Sequence, residues 1–247
     1  MIERVSVLIP HDTNSACPQH TANAAWAAER WRQSLPDTEV IVAGVGRHNR
    51  AANRNALARA ASGDMLLWFD GDAVVADPQA TVAHVAGLLS EGVPLVRLGG
   101  GVRWLGRPTT VKLLRTEPQA GAWPAAQWPA HMRVSASPQH GGDPSRRHGG
   151  LMYATTRRVW ERVPWDEQFI DWGREDTAWC YAIERLVGRG RWAPQFAWHL
   201  WHPRTRQHRW QSDTAQANDA RWQAYRAATD EQLQEIIGRG SGRNLWY

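Results

Sequence analysis

The sequence predicts an α/β fold with a mostly parallel central sheet and helices on both of its faces. Short apolar runs, typical of buried strands, alternate with longer segments whose apolar residues recur at helical spacing. This alternation favours crossover connections, and therefore parallel strands. The predicted strands are residues 5–9, 39–43, 65–69 and 94–98, and the predicted helices are residues 21–33, 49–61 and 78–89.

The second half of the sequence is less regular. Residues 116–150 are rich in Pro, Gly, Ser and His and have no clear period, so we expect a flexible loop that acts as a lid or contacts an acceptor. The elements predicted after it are strands at 151–154 and 191–198, helices at 157–162 and 177–187, and a mostly helical segment at 213–237. We expect one domain over residues 1–212 and a helical C-terminal tail over residues 213–247.

The composition is that of a globular protein and favours a reducing compartment. The two cysteines, Cys17 and Cys180, form neither a metal-binding spacing nor a disulfide framework. No apolar run is long enough to span a bilayer, and the N-terminus lacks the layout of a signal peptide, so we expect a soluble cytoplasmic protein without a membrane span. The net charge is +5 and Lys112 is the only lysine. Arginine suits phosphate recognition, but GC-rich codon usage explains the same bias.

Two carboxylates, Asp70 and Asp72, flank Gly71 directly after the apolar run 65–69. Open α/β sheets bind ligands outside the carboxyl ends of their strands. Mg²⁺ and Mn²⁺ prefer oxygen ligands and keep positions open for substrate phosphates. The pattern predicts a divalent-cation site, although a solvated turn is the commoner explanation of an isolated D-x-D.

Three further segments carry side chains suited to the same site. Glu175 and Asp176 begin the helix after the letters D-W-G-R, where they either cap the helix or supply a general base. His199 and His202, three apart, are either metal ligands or inert surface histidines. Residues 48–55 place Arg54 and other polar side chains on a helix, which is either a solvated face or directed at a nucleotide.

The order of these motifs resembles that of the GT-A glycosyltransferases. The matching motifs occur in the expected order over residues 4–203. They are an H-N-R-A-x-N-R-N helix, a D-x-D strand end, a G-G segment, a W-G-x-E-D helix start and an x-x-x-H motif. The resemblance is strongest to the family 2 type and to the galactosyltransferase and N-acetylgalactosaminyltransferase group. It implies the GT-A fold and a metal-dependent transfer from a nucleotide-sugar, most simply a UDP-sugar, with Mn²⁺ or Mg²⁺.

The resemblance also implies a role for each matching residue. Asp72 would ligate the metal directly with His202, Asp70 would lie near the ribose, and His199 would be a weaker ligand. Glu175 and Asp176 would bind the acceptor, with Asp176 as the base of an inverting reaction. The residues matching donor-binding positions are Pro10, His11, Asn49, Arg50, Asp70, Gly149, Gly150, Trp172 and Gly173.

The sequence departs from the family pattern at three places. The second strand ends in A-G-V-G instead of paired aspartates, His48 replaces an aromatic residue, and Arg174 replaces the second glycine of W-G-G. The first departure leaves base specificity open, and the last changes the acceptor pocket or adds a phosphate contact.

The acceptor is the least determined part of the function. Basic and aromatic residues alternate from position 204 to 226, as on nucleic-acid surfaces, or form a solvated helix face. The residues of this stretch are Arg204, Arg206, His208, Arg209, Trp210, Arg221 and Arg226. They suggest duplex DNA carrying hydroxymethylated pyrimidines, the acceptor of some bacteriophage glycosyltransferases. A glycan or cell-wall acceptor, a non-catalytic nucleic-acid-binding protein and a metal-dependent nucleotidyltransferase are the alternatives.

Overall fold

The computed structural model describes residues 2–11, 17–44, 49–98, 102–118, 120–121, 151–171, 173–195, 197–203 and 212–241. The strands in these residues are β1 (Val5–Pro10), β2 (Glu39–Ala43), β3 (Met65–Phe69), β4 (Ala73–Val75), β5 (Val96–Leu98), β6 (Val102–Trp104), β7 (Met152–Thr156), β8 (Arg191–Ala193) and β9 (Ala197–His199). The helices are α1 (Pro18–Ser34), α2 (Arg50–Ala60), α3 (Pro78–Ser90), α4 (Arg107–Leu114), α5 (Arg157–Arg162), α6 (Glu175–Leu186), α7 (Asp213–Ala227) and α8 (Asp230–Gly240). No helix in these residues is long and apolar enough to cross a membrane.

The central sheet has six strands in the order β2-β1-β3-β7-β5-β8. The β1–β2, β1–β3 and β5–β8 pairs are parallel, while β7 runs antiparallel to both of its neighbours. Met152 at the start of β7 pairs with Phe69 on one side and with Leu98 on the other. The prediction of a mostly parallel α/β sheet is confirmed, and the antiparallel strand β7 is inserted at its centre.

Helices cover both faces of this sheet, also as predicted. Successive side chains of a strand point to opposite faces, and β3 is buried on both. Leu66 and Trp68 belong to a core covered by α2, α6, α7 and α8, whereas Met65, Leu67 and Phe69 belong to a core covered by α1 and α3. An entirely apolar strand such as β3 is the expected sequence for a position covered on both faces.

A second, three-stranded sheet was not predicted. Its order is β4-β9-β6. Strand β9 pairs antiparallel with β4, so that Val74 lies opposite Trp198. The predicted single strand over residues 191–198 is therefore wrong: Pro194 and Gln195 separate β8, in the large sheet, from β9 in the small one. Pro194 has no N–H to donate to a ladder, which accounts for the break.

The C-terminal helices α7 and α8 pack into the core that α2 and α6 cover on one face of the central sheet. Trp222, Tyr225 and Leu233 are buried in the cluster that contains Trp68. The buried carboxylate of Asp166 accepts hydrogen bonds from Arg221 Nε (2.6 Å) and from the Tyr225 hydroxyl (2.7 Å). The described part of the tail is thus held by both apolar burial and a buried ion pair.

Candidate active site

The D-G-D turn lies at the carboxyl end of β3 and is fixed by three backbone hydrogen bonds. Asp70 N donates to Leu151 O (3.0 Å), Ala73 N donates to Asp70 O (2.9 Å), and Leu200 N donates to Asp72 O (2.6 Å). These bonds tie the turn to the segment before β7 and to the segment after β9. The two chain regions that were predicted to supply carboxylate and imidazole ligands therefore meet.

Asp72 is surrounded by imidazoles. Its Oδ2 lies 3.2 Å from His202 Nε2 and 3.5 Å from His199 Nε2. Burial opposes ionisation of Asp72, but the His202 hydrogen bond and the neighbouring histidines lower its pKa to about 2. Asp72 is therefore an anion at physiological pH, the form that can bind a cation.

The Nδ1 nitrogen of His202 orients the ring so that Nε2 can act as a metal ligand beside Asp72. Nδ1 lies 3.0 Å from Pro203 O, so Nδ1–H donates to that carbonyl and Nε2 faces Asp72. The preceding residue is held in place as well, because Trp201 N donates to Thr110 Oγ1 (2.9 Å) and Trp201 O accepts from Asn23 Nδ2 (3.2 Å). A backbone partner that fixes the tautomer is a frequent feature of metal-ligating histidines.

A third histidine, His20, belongs to the cluster and was missed by the sequence reasoning. His20, Asp72 and His202 each offer one ligand atom, and the three atoms lie within 4.8 Å of one another. Burial, followed by repulsion from His202, lowers the pKa of His20 to about 4, so the imidazole is neutral at physiological pH. No local pattern marks His20, which sits in the first turn of α1 behind Pro18.

His199 and Asp70 lie beside this group but are not members of it. The His199 ring stacks on Trp104, with centroids 3.9 Å apart, and burial lowers the pKa of His199. Its Nδ1 is buried without a hydrogen-bond partner among the described residues. His199 therefore forms the wall behind Asp72, between the carboxylate and the exposed indole of Trp104.

A buried arginine links the D-G-D turn to the acidic helix start. Arg54 Nη2 lies 3.4 Å from Asp70 Oδ1, and Arg54 Nη1 lies 3.6 Å from Glu175 Oε1. The guanidinium also lies over the Trp165 ring, 4.4 Å from its centroid. Arg50, one turn earlier on α2, approaches the same Glu175 oxygen at 3.6 Å. The two arginines are the cationic partners of the buried Glu175 side chain.

Asp176 is in a different electrostatic environment from its neighbour. Burial, and then the charge of Glu175, raise its pKa to about 6. The Tyr153 hydroxyl donates to Oδ2 (3.0 Å) and Thr177 N donates to Oδ1 (2.7 Å). A carboxylate that ionises near neutral pH and is held by two donors has the properties of a general base.

The backbone before α6 is unusual. Asp171, Gly173 and Arg174 have φ values of 61°, 113° and 72°, and two of these residues are not glycine. Arg174 Nε donates to Asp219 Oδ1 on α7 at 2.6 Å, and Gly173 N donates to Glu175 Oε2 at 3.2 Å. The turn that presents Glu175 and Asp176 is thus anchored to α7.

The remaining predicted donor-binding residues are only partly described. Asn49 caps α2 by accepting from Ala52 N (2.8 Å) and donates to Glu167 O (2.7 Å), so its amide supports the local structure. Pro10 ends β1, and His11 N donates to Ala43 O (3.1 Å). Predicted site residues that lie outside the described residues are His48, Gly149, Gly150 and Trp172, together with the basic stretch at 204–210.

Comparison with known proteins identifies the fold. No protein-family model matches the sequence, and no curated protein is significantly similar to it. The structure is similar to a mannosyltransferase of Pyrobaculum calidifontis in complex with GDP-mannose and Mn²⁺, with a TM-score of 0.51 and 16% identity over 96% of this chain and 69% of that one. It is similar to a Drosophila β-1,4-galactosyltransferase 7 mutant in complex with manganese, UDP-galactose and xylobiose, with a TM-score of 0.50 and 12% identity over 87% and 79% of the two chains. For GalNAc-T7 in complex with UDP, GalNAc and Mn²⁺, the TM-score is 0.54 with 14% identity over 97% of this chain and 55% of that one.

These structures share the architecture that the motifs predicted. The chain has the GT-A fold of nucleotide-sugar transferases, with its acidic motifs at the carboxyl edge of the central sheet.

Proposed function

We propose that the protein is a metal-dependent glycosyltransferase that moves a sugar from a nucleotide-sugar to an acceptor hydroxyl with inversion. The observation that carries the proposal is the joining of two acidic motifs by one buried arginine: Arg54 contacts both Asp70 of the D-G-D turn and Glu175, the neighbour of Asp176. Arg54 thus joins the turn that carries Asp72 to the helix start that carries Asp176, which supports a common site for the two motifs.

The side chains present fit a divalent cation. Asp72 is ionised, His202 directs Nε2 toward it, and Asp70 and His199 flank it. When bound there, Mn²⁺ would neutralise the charge that develops on the diphosphate leaving group. Mn²⁺ suits this mixture of oxygen and nitrogen donors better than Mg²⁺ does.

Asp176 is the proposed general base, because its buried environment raises its pKa to about 6. Its carboxylate accepts the proton of the acceptor hydroxyl as that oxygen attacks the anomeric carbon. The bond between the anomeric carbon and the diphosphate oxygen breaks on the opposite face, and the nucleoside diphosphate leaves with the bonding electrons. Arg50, which is partly exposed beside Glu175, is suited to contact the donor phosphates. The lid expected over residues 116–150 lies mostly outside the described residues and stays a prediction.

The donor is proposed to be a UDP-sugar. The resemblance of the motifs supports this choice, and two of the similar structures contain UDP or UDP-galactose while the third contains GDP-mannose. Pro10 and His11 lie at the end of β1, beside the end of β2 at Ala43, where the family frames the base. The unusual A-G-V-G sequence after β2 makes a direct comparison of UDP- and GDP-sugars necessary.

For the acceptor we propose duplex DNA that carries hydroxymethylated pyrimidines, as a phage-encoded DNA-modifying enzyme would use. The support is the basic and aromatic stretch that directly follows His202 in the sequence. Arg221 is not part of that support, because it is paired with the buried Asp166. A DNA acceptor implies a cytoplasmic reaction, consistent with the two free cysteines. A glycan or cell-wall polysaccharide is the alternative acceptor.

The catalytic domain would end near residue 212, with the tail helices packed against it.

The test is release of nucleoside diphosphate from a panel of UDP- and GDP-sugars with Mn²⁺, without acceptor, with modified duplex DNA, and with oligosaccharides. Wild-type protein should release the diphosphate from one donor, and the matching acceptor should stimulate release. Asp72→Ala should abolish this activity, whereas Asp37→Ala, at an exposed turn, should not change it.

Other outcomes identify the alternatives. Full activity of Asp72→Ala in the presence of a chelator would overturn the metal assignment. Release of pyrophosphate from nucleoside triphosphates would indicate a nucleotidyltransferase. DNA binding without turnover of any donor would indicate a non-catalytic nucleic-acid-binding protein.

A further inference from the structure

The first helix, α1, lies directly on both turns that carry the candidate metal ligands. A Cβ added to Gly71 would meet Ala24 Cβ of α1 at 3.0 Å, so the helix packs against the D-G-D turn without room for a larger residue. Asn23 Nδ2 of the same helix donates to Trp201 O at 3.2 Å, and Asn23 Oδ1 accepts from Gln19 Nε2 at 2.9 Å. The helix thus fixes the relative position of the turn at Asp72 and the segment at His202.

His20 occupies the same face of α1, one turn before Ala24. Its ring meets the His202 ring edge to face, with centroids 4.0 Å apart. Its Nε2 is buried and has no hydrogen-bond partner in the described part of the chain. A buried imidazole nitrogen without a partner is costly, unless a ligand satisfies it when the site is in use.

From this geometry we infer that His20 is a third protein ligand of the divalent cation, together with Asp72 and His202. The inference rests on the proposed function and extends it, because none of the motifs that support that function includes His20. Two imidazoles and one carboxylate form a set suited to Mn²⁺, Fe²⁺, Co²⁺ or Zn²⁺, whereas Mg²⁺ prefers oxygen ligands. The set therefore predicts a site that selects transition metals over Mg²⁺.

The experiment is direct metal binding by calorimetry with MnCl₂ and with MgCl₂, each with and without UDP. His20→Ala should weaken Mn²⁺ binding by about tenfold or more, in the range seen when groups that support a metal site are removed. His84→Ala, which removes an exposed histidine on α3, is the matched control and should leave the Mn²⁺ affinity unchanged. His20→Asp should restore Mn²⁺ binding and increase the affinity for Mg²⁺ relative to Mn²⁺, because it supplies oxygen in place of nitrogen.

Circular dichroism without metal checks that each variant is folded, and pulsed EPR of bound Mn²⁺ should lose one imidazole nitrogen coupling in His20→Ala. Mn²⁺ binding by His20→Ala within twofold of wild type, with binding abolished in His202→Ala, would overturn the role of His20 and leave the proposed function intact. Absence of Mn²⁺ binding by the wild-type protein, with and without UDP, would overturn both.

Discussion

The Tyr153 hydroxyl, on the central antiparallel strand β7, donates a 3.0 Å hydrogen bond to Oδ2 of Asp176 at the start of α6. The phenol ring packs edge-on against Trp165 and Trp179 and is buried. A rigid donor thus fixes one oxygen of the proposed base.

Asp176→Asn should reduce transfer by about 10²–10⁴-fold, the usual contribution of a general base, while Mn²⁺ and UDP binding stay unchanged. The same change should stabilise the fold above pH 6, because burial and Glu175 disfavour the charged carboxylate in the native state. Steady-state kinetics and urea unfolding at pH 7 measure the two effects. A variant that keeps wild-type turnover would exclude Asp176 as the base.

Activity should depend on pH through Asp176. Its pKa of about 6 means that kcat/KM falls tenfold per pH unit below that value and is constant above it. The Tyr153 hydrogen bond favours the ionised form, so Tyr153→Phe should raise the pKa of Asp176 and move the acidic limb to higher pH. Tyr181→Phe, on the same helix, serves as control, and an identical shift in both variants would contradict this role of Tyr153.

Arg54→Met should destabilise the protein by about 3–5 kcal/mol, because it leaves Asp70 and Glu175 without their buried counter-charge. Arg50→Met is the matched control: it removes a cation at the same distance from Glu175, but its side chain is 45% exposed against 3% for Arg54. We expect about 0–1 kcal/mol for that control. Urea denaturation of both variants gives the comparison, and equal losses would mean that burial does not decide the effect.

Arg174→Gly should leave stability nearly unchanged. Glycine relieves the left-handed backbone at this position, which costs roughly 1–3 kcal/mol for other residues. Two effects oppose this gain: the partly exposed ion pair with Asp219, worth about 0–1 kcal/mol, is lost, and the unfolded chain gains conformational entropy. Because α7 would lose its anchor to the W-G-x-E-D turn, the acceptor KM should rise more than kcat falls. Thermal unfolding with acceptor titration tests this. A large loss of stability would show that the ion pair dominates.

The first half of the central sheet was readable from the sequence because β1, β2 and β3 are mostly apolar runs of five or six residues. β2 and β3 have the predicted bounds, and α5 begins and ends at the predicted residues. The three-residue strands β4 and β6 were missed because three residues carry no periodicity, and they exist only through pairing with β9. The antiparallel direction of β7 is set by its long-range pairing with β3 and β5, which local patterns do not encode.

The site was predictable to a similar extent. Asp72, His202 and His199 meet, as do Arg54, Glu175 and Asp70, because motif order carries that information. His20 was missed because it reaches the cluster through the packing of α1 on the Gly71 turn, a tertiary contact. The roles assigned to Pro10, Asn49 and Arg50 in donor binding stay predictions.

The register of β7 determines where the chain segment that precedes this strand begins and ends. The chain leaves the large sheet at Leu98 and returns at Met152, and these two residues are partners in neighbouring strands. Met152 also pairs with Phe69, the residue before Asp70. The ends of the intervening segment are therefore held together by the sheet, next to the proposed cation site. Since the entropy of closing a loop grows slowly with its length, length changes in this segment cost little stability as long as β6, which pairs with β9, and Thr110, which holds Trp201, keep their places.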